Sequence, residues 1–237
     1  MAITLSEAIR DGENAVDALT REDFEEEIQH IEKMFGLFFR IFKFFAKNSG
    51  EILTEHDYTK WSIVLLFLRN LRVLRCVHRS MLNGYYDVSV AMLRMAFENH
   101  LLMYFFLNRE DEARKWWSGK RFTPKFLKKE VRESLSYDKV YRSLSELIHT
   151  NFKVTRFFSE PRGEDLAVWI TNYDSARFYQ TLHGLLTFGA ATLMVTPMAF
   201  RDEFKIKHLV KEISEFVSLN KLILKSAQKK SLEKKKE

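Results

Sequence analysis

Residues 85–107, YYDVSVAMLRMAFENHLLMYFFL, are apolar on almost every face of a helix, yet Arg94, Glu98, Asn99 and His100 stand in their middle. A helix that is hydrophobic all round belongs in a core, and other helices must cover it. Helical spacing puts Arg94 and Glu98 on one face a turn apart, with Asp87 two turns before Arg94 on the same face. The stretch predicts a central helix carrying one polar stripe. Ionised groups are seldom fully buried without partners, so that stripe has either a structural or a chemical reason.

Outward from this stretch the chain continues to read as helix. Its 237 residues include only three prolines and eight glycines, with no Pro/Gly/Ser-rich linker and no internal repeat. We expect an all-α protein, a single bundle of about six to eight helices over residues 1–220, followed by a Lys-rich helix end or tail at 221–237. Residues 5–19 read as a short acidic amphipathic helix, and Thr20 with Asp23 three residues on resembles a capping arrangement for the next. From there Phe24, Ile28, Ile31, Phe35, Phe38, Phe42 and Phe45 follow helical spacing, opposite a wet stripe of Arg40, Lys43 and Lys47. Core packing explains this helix better than a membrane surface, because its acidic start would be repelled by anionic lipid. Asn48-Ser49-Gly50 ends it; a second long helix runs to the stop signal Asn83-Gly84 and should pair with 85–107 as an antiparallel hairpin. A small hairpin or ordered loop is expected near 151–173, then a helix from Asp174 that stops or kinks at Pro197, where Gly184 and Gly189 allow close packing, and a last helix from about Asp202.

The net charge of +6 is unevenly spread. Residues 1–32 hold ten acids and two arginines, a net of −8; residues 221–237 hold seven lysines and two glutamates, a net of +5; this leaves +9 on 33–220. A basic body leaves room for an anionic partner. The lone Cys76 cannot form an intramolecular disulfide, the N-terminus lacks a basic stretch followed by an apolar one, and no uninterrupted apolar run is long enough to span a bilayer. A cytoplasmic protein with no transmembrane segment is expected.

Two stretches could meet phosphates. Arg69, Arg72, Arg75 and Arg79 recur three or four apart, either as a solvated face or as a phosphate-binding one. Further on, Lys115, Lys120, Arg121, Lys125, Lys128 and Lys129 interleave with Trp116, Trp117, Phe122 and Phe126, and no acid interrupts the run from Lys115 to Lys129. Bases stack on rings while cations neutralise phosphate, which makes this run the candidate nucleic-acid footprint. The competing reading is a helical corner in which Gly119 breaks the chain, Thr123 caps, Pro124 takes the first helical position and the rings pack inward.

Arg94 and Glu98, with His149 and with Ser145 or Tyr141 assisting, form a candidate catalytic constellation: an arginine neutralises charge developing on a phosphate, and a histidine titrates where a general acid or base must. An Arg-x-x-x-Glu helix followed by Ser145-x-x-x-His149 resembles uncharacterised prokaryotic all-helical proteins and, more distantly, the HEPN superfamily, over roughly residues 55–150. The resemblance implies a helical bundle that often dimerises and, in active members, a metal-independent ribonuclease in which Arg and His assist attack of the RNA 2′-hydroxyl on the adjacent phosphate. The family's motif is an Arg followed four to six residues later by His, which Arg94 and His100 satisfy in spacing. The sequence departs from it at Met95, where a polar residue is usual, and on a continuous helix Arg94 and His100 point about 120° apart. His149 therefore stands level with His100 as the partner of Arg94.

Two Glu-x-x-His pairs, Glu27/His30 and Glu146/His149, with Glu98 between them, are similar to the ligand pattern of di-metal carboxylate bundles, but no further carboxylate occurs in the apolar helix 174–196, and no metal or other cofactor is expected. There is no nucleophile elbow, phosphate loop or zinc spacing. Two functions remain. One is a nucleic-acid-associated protein, an endoribonuclease or an inactive relative in a prokaryotic defence or stress system. The other is a non-catalytic interaction module, a homo-oligomer or a protein-partner binder, in which an acidic N-terminus meets a basic surface.

Overall fold

The computed structural model describes residues 4–53, 56–131, 144, 173–200 and 207–234. Among these the protein is an all-α bundle of seven helices: α1 (Leu5–Ile52), α2 (Tyr58–Leu82), α3 (Tyr86–Phe106), α4 (Glu110–Trp117), α5 (Pro124–Glu130), α6 (Ser175–Ala199) and α7 (Lys207–Lys234). The hairpin or ordered loop expected near 151–173 lies outside the described residues, apart from Tyr173.

Thr4 starts α1 with a complete capping box: its hydroxyl accepts from the Glu7 amide and the Glu7 carboxylate accepts from the Thr4 amide. The break expected near Thr20 is a bend instead. Phe24 leaves helical geometry at φ −130° and ψ 33°, and the two expected helices run on as one. The Thr20 hydroxyl is buried and caps nothing among the described residues, while Asp23 accepts from the Tyr173 hydroxyl. The bend brings the Phe24 ring onto Phe178, 4.5 Å between centroids.

Ring contacts give the directions. Phe24 meets Phe178 and Phe45 meets Phe200, so α1 and α6 run parallel; Phe35 meets His78 and Phe45 meets Phe67, so α2 runs against α1. As expected, α2 and α3 form an antiparallel hairpin, turning at Gly84 with φ 81°. Glu110, from the start of α4, accepts from the Tyr58 and Thr59 amides at 2.7 and 2.9 Å and so covers donors at the start of α2 that the helix itself leaves open.

The helix that packs against all four other long ones is α6, and α3 sits one layer out, between α2 and α6. Two glycines shape the contacts of α6: a methyl group added at Gly184 would come 2.6 Å from Leu93 Cδ1, and one at Gly189 would overlap the Met34 sulfur, so these side chains of α3 and α1 seat directly over the glycines. Pro197 falls in the last turn of α6, which ends two residues later. By length and composition α6 could cross a membrane, the one such helix among the described residues, but just over half of it is buried against its neighbours.

The polar stripe of α3 divides. Arg94 and Glu98 lie on a half-exposed edge, whereas Asn99 and His100 point inward and are buried. Asn99 Nδ2 donates to Asn70 Oδ1 at 2.8 Å, Asn70 Nδ2 donates to Thr192 Oγ1 at 2.9 Å, and Thr192 donates to the Phe188 carbonyl, tying α3, α2 and α6 together. Asn70→Leu leaves the Asn99 amide without its acceptor and is expected to destabilise by about 2 kcal/mol in urea unfolding. Because the amides act as a pair, Asn70→Leu/Asn99→Leu should lose less than the sum of the single variants; simple additivity would show that they do not.

Beyond residue 220, α7 continues to Lys234, with Ala227 and Ser231 buried and Lys230 paired to Glu27 of α1 at 2.9 Å.

Candidate nucleic-acid interface

Arg94 and Glu98 sit one turn apart on α3, and Arg94 Nε donates to Glu98 Oε1 at 3.1 Å with the two side chains 27% and 35% exposed. His100 is only 4% exposed and faces the interior, and burial lowers its pKa to about 4. The structure thus does not bring Arg94 and His100 together: one is at the edge of the bundle, the other a neutral imidazole inside it. Ser145 and His149, the other members of that constellation, lie outside the described residues.

The basic run after α3 folds as the helical corner. Thr123 caps α5, accepting from the Phe126 amide at 3.2 Å, and Pro124 is its first residue. Trp116 rests on Phe106, 5.5 Å between centroids, and Phe122 lies 5.2 and 5.9 Å from Phe105 and Phe106. Trp117 keeps an exposed edge but its indole N–H donates to Ser62 Oγ at 2.8 Å, and Phe126 meets Phe105 edge-on. Trp116 and Phe122 join the margin of the core, whereas Trp117 and Phe126 are anchored by these contacts while remaining 44% and 39% exposed.

The cations of the run are partly neutralised by an acid just upstream. Lys115 and Lys120 reach Glu112 at 2.6 and 3.1 Å, and their two hydrogen bonds hold that carboxyl below the usual carboxylate range. Arg121, Lys125 and Lys129 are exposed and make no ion pair among the described residues. Lys128 lies on α5.

A second basic surface is better formed. Arg69, Arg72, Arg75 and Arg79 all face outward from α2. Arg75 pairs with Glu32 at 3.1 Å and covers the Phe35 ring at 5.2 Å, but Arg69, Arg72 and Arg79 have no ion-pair partner among the described residues. Beneath them the buried His78 accepts from Arg75 at 2.9 Å through Nδ1; burial and the arginine lower its pKa to about 4, so it adds no charge.

On the flank of this stripe stand two rings that the sequence pattern did not single out as a surface. Phe39 is 52% and Phe42 38% exposed; they stack 6.4 Å apart with planes 24° from parallel, and Lys43 Nζ lies 4.6 Å over Phe39. Phe42 follows the apolar spacing of α1, so periodicity assigns it to the core. Phe39 was open to recognition: it falls between two core positions, one turn before Lys43 on the wet stripe.

Of the two metal-like pairs, Glu146/His149 lies outside the described residues and Glu27/His30 is committed elsewhere. Glu27 faces Lys230, and His30 Nε2 lies 2.6 Å from Asn220 Oδ1 with its ring stacked on Phe216, its pKa lowered mainly by burial. Among the described residues no group of three or more His, Cys, Asp or Glu gathers to hold a metal. No known protein family, curated protein or solved structure matches this chain.

Proposed function

We propose that this protein associates with nucleic acid, RNA in particular, through the arginine stripe of α2. The observation that carries the reading is that Arg69, Arg72 and Arg79, set at helical spacing in one stripe of α2, are exposed and without an ion pair among the described residues. From Arg69 to Arg79 the stripe spans about 15 Å, enough for several phosphates of one strand. Arginine suits this role because its planar fork stays charged and matches phosphate oxygens. Arg121, Lys125 and Lys129 form a second, smaller set of exposed cations for the same partner.

The measurement is fluorescence anisotropy of labelled single-stranded RNA across a salt series. Contacts to three or four phosphates give a slope of log affinity on log salt of about −2 to −3. Arg69→Glu/Arg72→Glu, a surface change, should lower the affinity and flatten the slope; binding that does not weaken with salt would overturn the reading.

Cleavage is the narrower form of this proposal and rests on the resemblance to HEPN proteins. The buried, neutral His100 is poorly placed for it, so a ribonuclease would draw on Arg94 and Glu98 with Ser145 and His149. Degradation of end-labelled RNA in EDTA, lost in folded Arg94→Ala and His149→Ala variants, supports a metal-independent nuclease; intact RNA with wild type leaves the binding function alone. The same resemblance implies a dimer in a prokaryotic defence or stress system, and the lone Cys76 fits a cytoplasmic setting.

A second reading is supported by the exposed acids Glu22, Glu25 and Glu26 on the first half of α1, which could dock a basic protein surface. Light scattering that shows a salt-sensitive oligomer, with no RNA affinity, favours it.

A further inference from the structure

We propose that the exposed Phe39–Phe42 stack is a base-stacking platform, and that it makes the α1/α2 face select single-stranded polynucleotide over duplex. This deepens the reading of the arginine stripe and rests on it.

The platform and the stripe belong to one surface. Arg75 covers the Phe35 ring at 5.2 Å and pairs with Glu32, which fixes the pairing of the antiparallel helices at that level. Phe39 and Phe42 lie one and two turns beyond Phe35 on the same flank of α1, and Arg72 and Leu68 lie one and two turns before Arg75 on the facing flank of α2. By helical register the two rings therefore lie at the level of Arg72 and Leu68, with Lys43 above Phe39, and Leu65, 42% exposed, lies one turn further along α2.

Single exposed apolar residues are ordinary, but a stacked pair of rings joined to exposed aliphatic surface and bordered by arginine and lysine is a patch with a defined chemistry. It fits a partner that presents flat apolar faces and closely spaced negative charges together. A single-stranded polynucleotide does so, its bases free to stack on the rings while its phosphates meet Arg69, Arg72 and Lys43. A duplex offers the phosphates but keeps its bases stacked within. A second copy docked symmetrically through the same patch would set arginine against arginine. A bilayer presents headgroup charge but no flat faces to stack on the rings.

The test is anisotropy with the full chain, using an unstructured oligoadenylate and an RNA duplex of equal length, at one fixed salt concentration. Wild type is expected to bind the single strand about tenfold more tightly than the duplex, and Phe39→Ala/Phe42→Ala to weaken single-strand binding by about tenfold while leaving the duplex within about twofold. Phe39→Tyr/Phe42→Tyr, which keeps the rings, should retain the preference, and Phe39→Ala alone, at the more exposed position, guards against misfolding of the double variant. Equal affinity for the two RNAs, or an unchanged single-strand affinity without the rings, overturns the platform and leaves the arginine stripe standing if binding remains salt-dependent. Failure to bind either RNA overturns both. Loss of vesicle co-sedimentation or of a dimer in the ring variants, with RNA affinity unchanged, overturns the platform in favour of a membrane or a second copy.

Discussion

Replacing Lys230 by methionine is expected to destabilise the bundle by about 3 kcal/mol at neutral pH, because it leaves a carboxylate alone in the interior. Glu27 is fully buried, its Oε2 accepts from Lys230 Nζ at 2.9 Å, and its Oε1 has no hydrogen-bond partner among the described residues. Methionine keeps most of the lysine stem, so the loss reports the charge rather than the packing. We place the effect at the low end of the usual range of about 3–5 kcal/mol, since Lys230 is 32% exposed, near the end of α7, and water can reach the carboxylate if that end lifts.

The opposite truncation behaves differently. In Glu27→Met the half-exposed lysine swings outward to water, and the loss should stay within about 1 kcal/mol; the double variant Glu27→Met/Lys230→Met should likewise lie close to wild type. Urea unfolding of the four proteins checks this. Equal losses for the two single variants, or no loss for Lys230→Met, would show that the carboxylate does not depend on the lysine. The pair joins residues 27 and 230, so its effect also measures how firmly α7 is held to α1, together with His30–Asn220 and the Arg40–Glu212 ion pair.

How far this arrangement can be read without coordinates depends on the range of the interaction. The α2–α3 hairpin is legible because Asn83-Gly84 and two long apolar runs are local signals. The corner at Gly119–Pro124 is legible for the same reason, and so is the neutralisation of Lys115 by Glu112, three residues earlier on one helix turn. The Glu27–Lys230 pair is not legible: in sequence Glu27 is one member of an acidic run and Lys230 one of several tail lysines, and only the antiparallel packing of α7 on α1 selects them. Periodicity also could not say which polar residues of α3 turn inward. Arg94, Glu98, Asn99 and His100 cover most of the helix circumference between them, and what decides is that Asn70 and Thr192 offer partners on the inner side. The same limit applies to α6, whose Gly184 and Gly189 receive the side chains of Leu93 and Met34, residues distant in sequence.

Acidification from about pH 7.5 to about pH 5 is expected to remove about 4 kcal/mol of stability, about 2 kcal/mol for each of His78 and His100. Both are almost fully buried and both have a pKa lowered to about 4, by burial at His100 and by burial together with Arg75 at His78, against a partial opposing pull from Glu32. In the unfolded chain each titrates near its usual value of about 6.5. As pH falls below that value the unfolded chain takes up a proton at each site and the folded chain does not, so the stability present above about pH 6.5 is progressively lost down to about pH 4. The geometry agrees at His78, where Arg75 donates to Nδ1 at 2.9 Å and so needs the lone pair that protonation would remove. His30 and His183, also lowered chiefly by burial, act in the same direction. A final pH of about 5 remains above the usual range of the carboxylates, which keeps the change attributable to histidine. His78→Gln and His100→Gln lose some packing at neutral pH, but each should cut the pH-dependent loss by about 2 kcal/mol, because glutamine takes up no proton. Urea midpoints for the three proteins at both pH values provide the comparison, and a wild-type stability that is flat over this interval would mean that neither imidazole is held neutral by the fold.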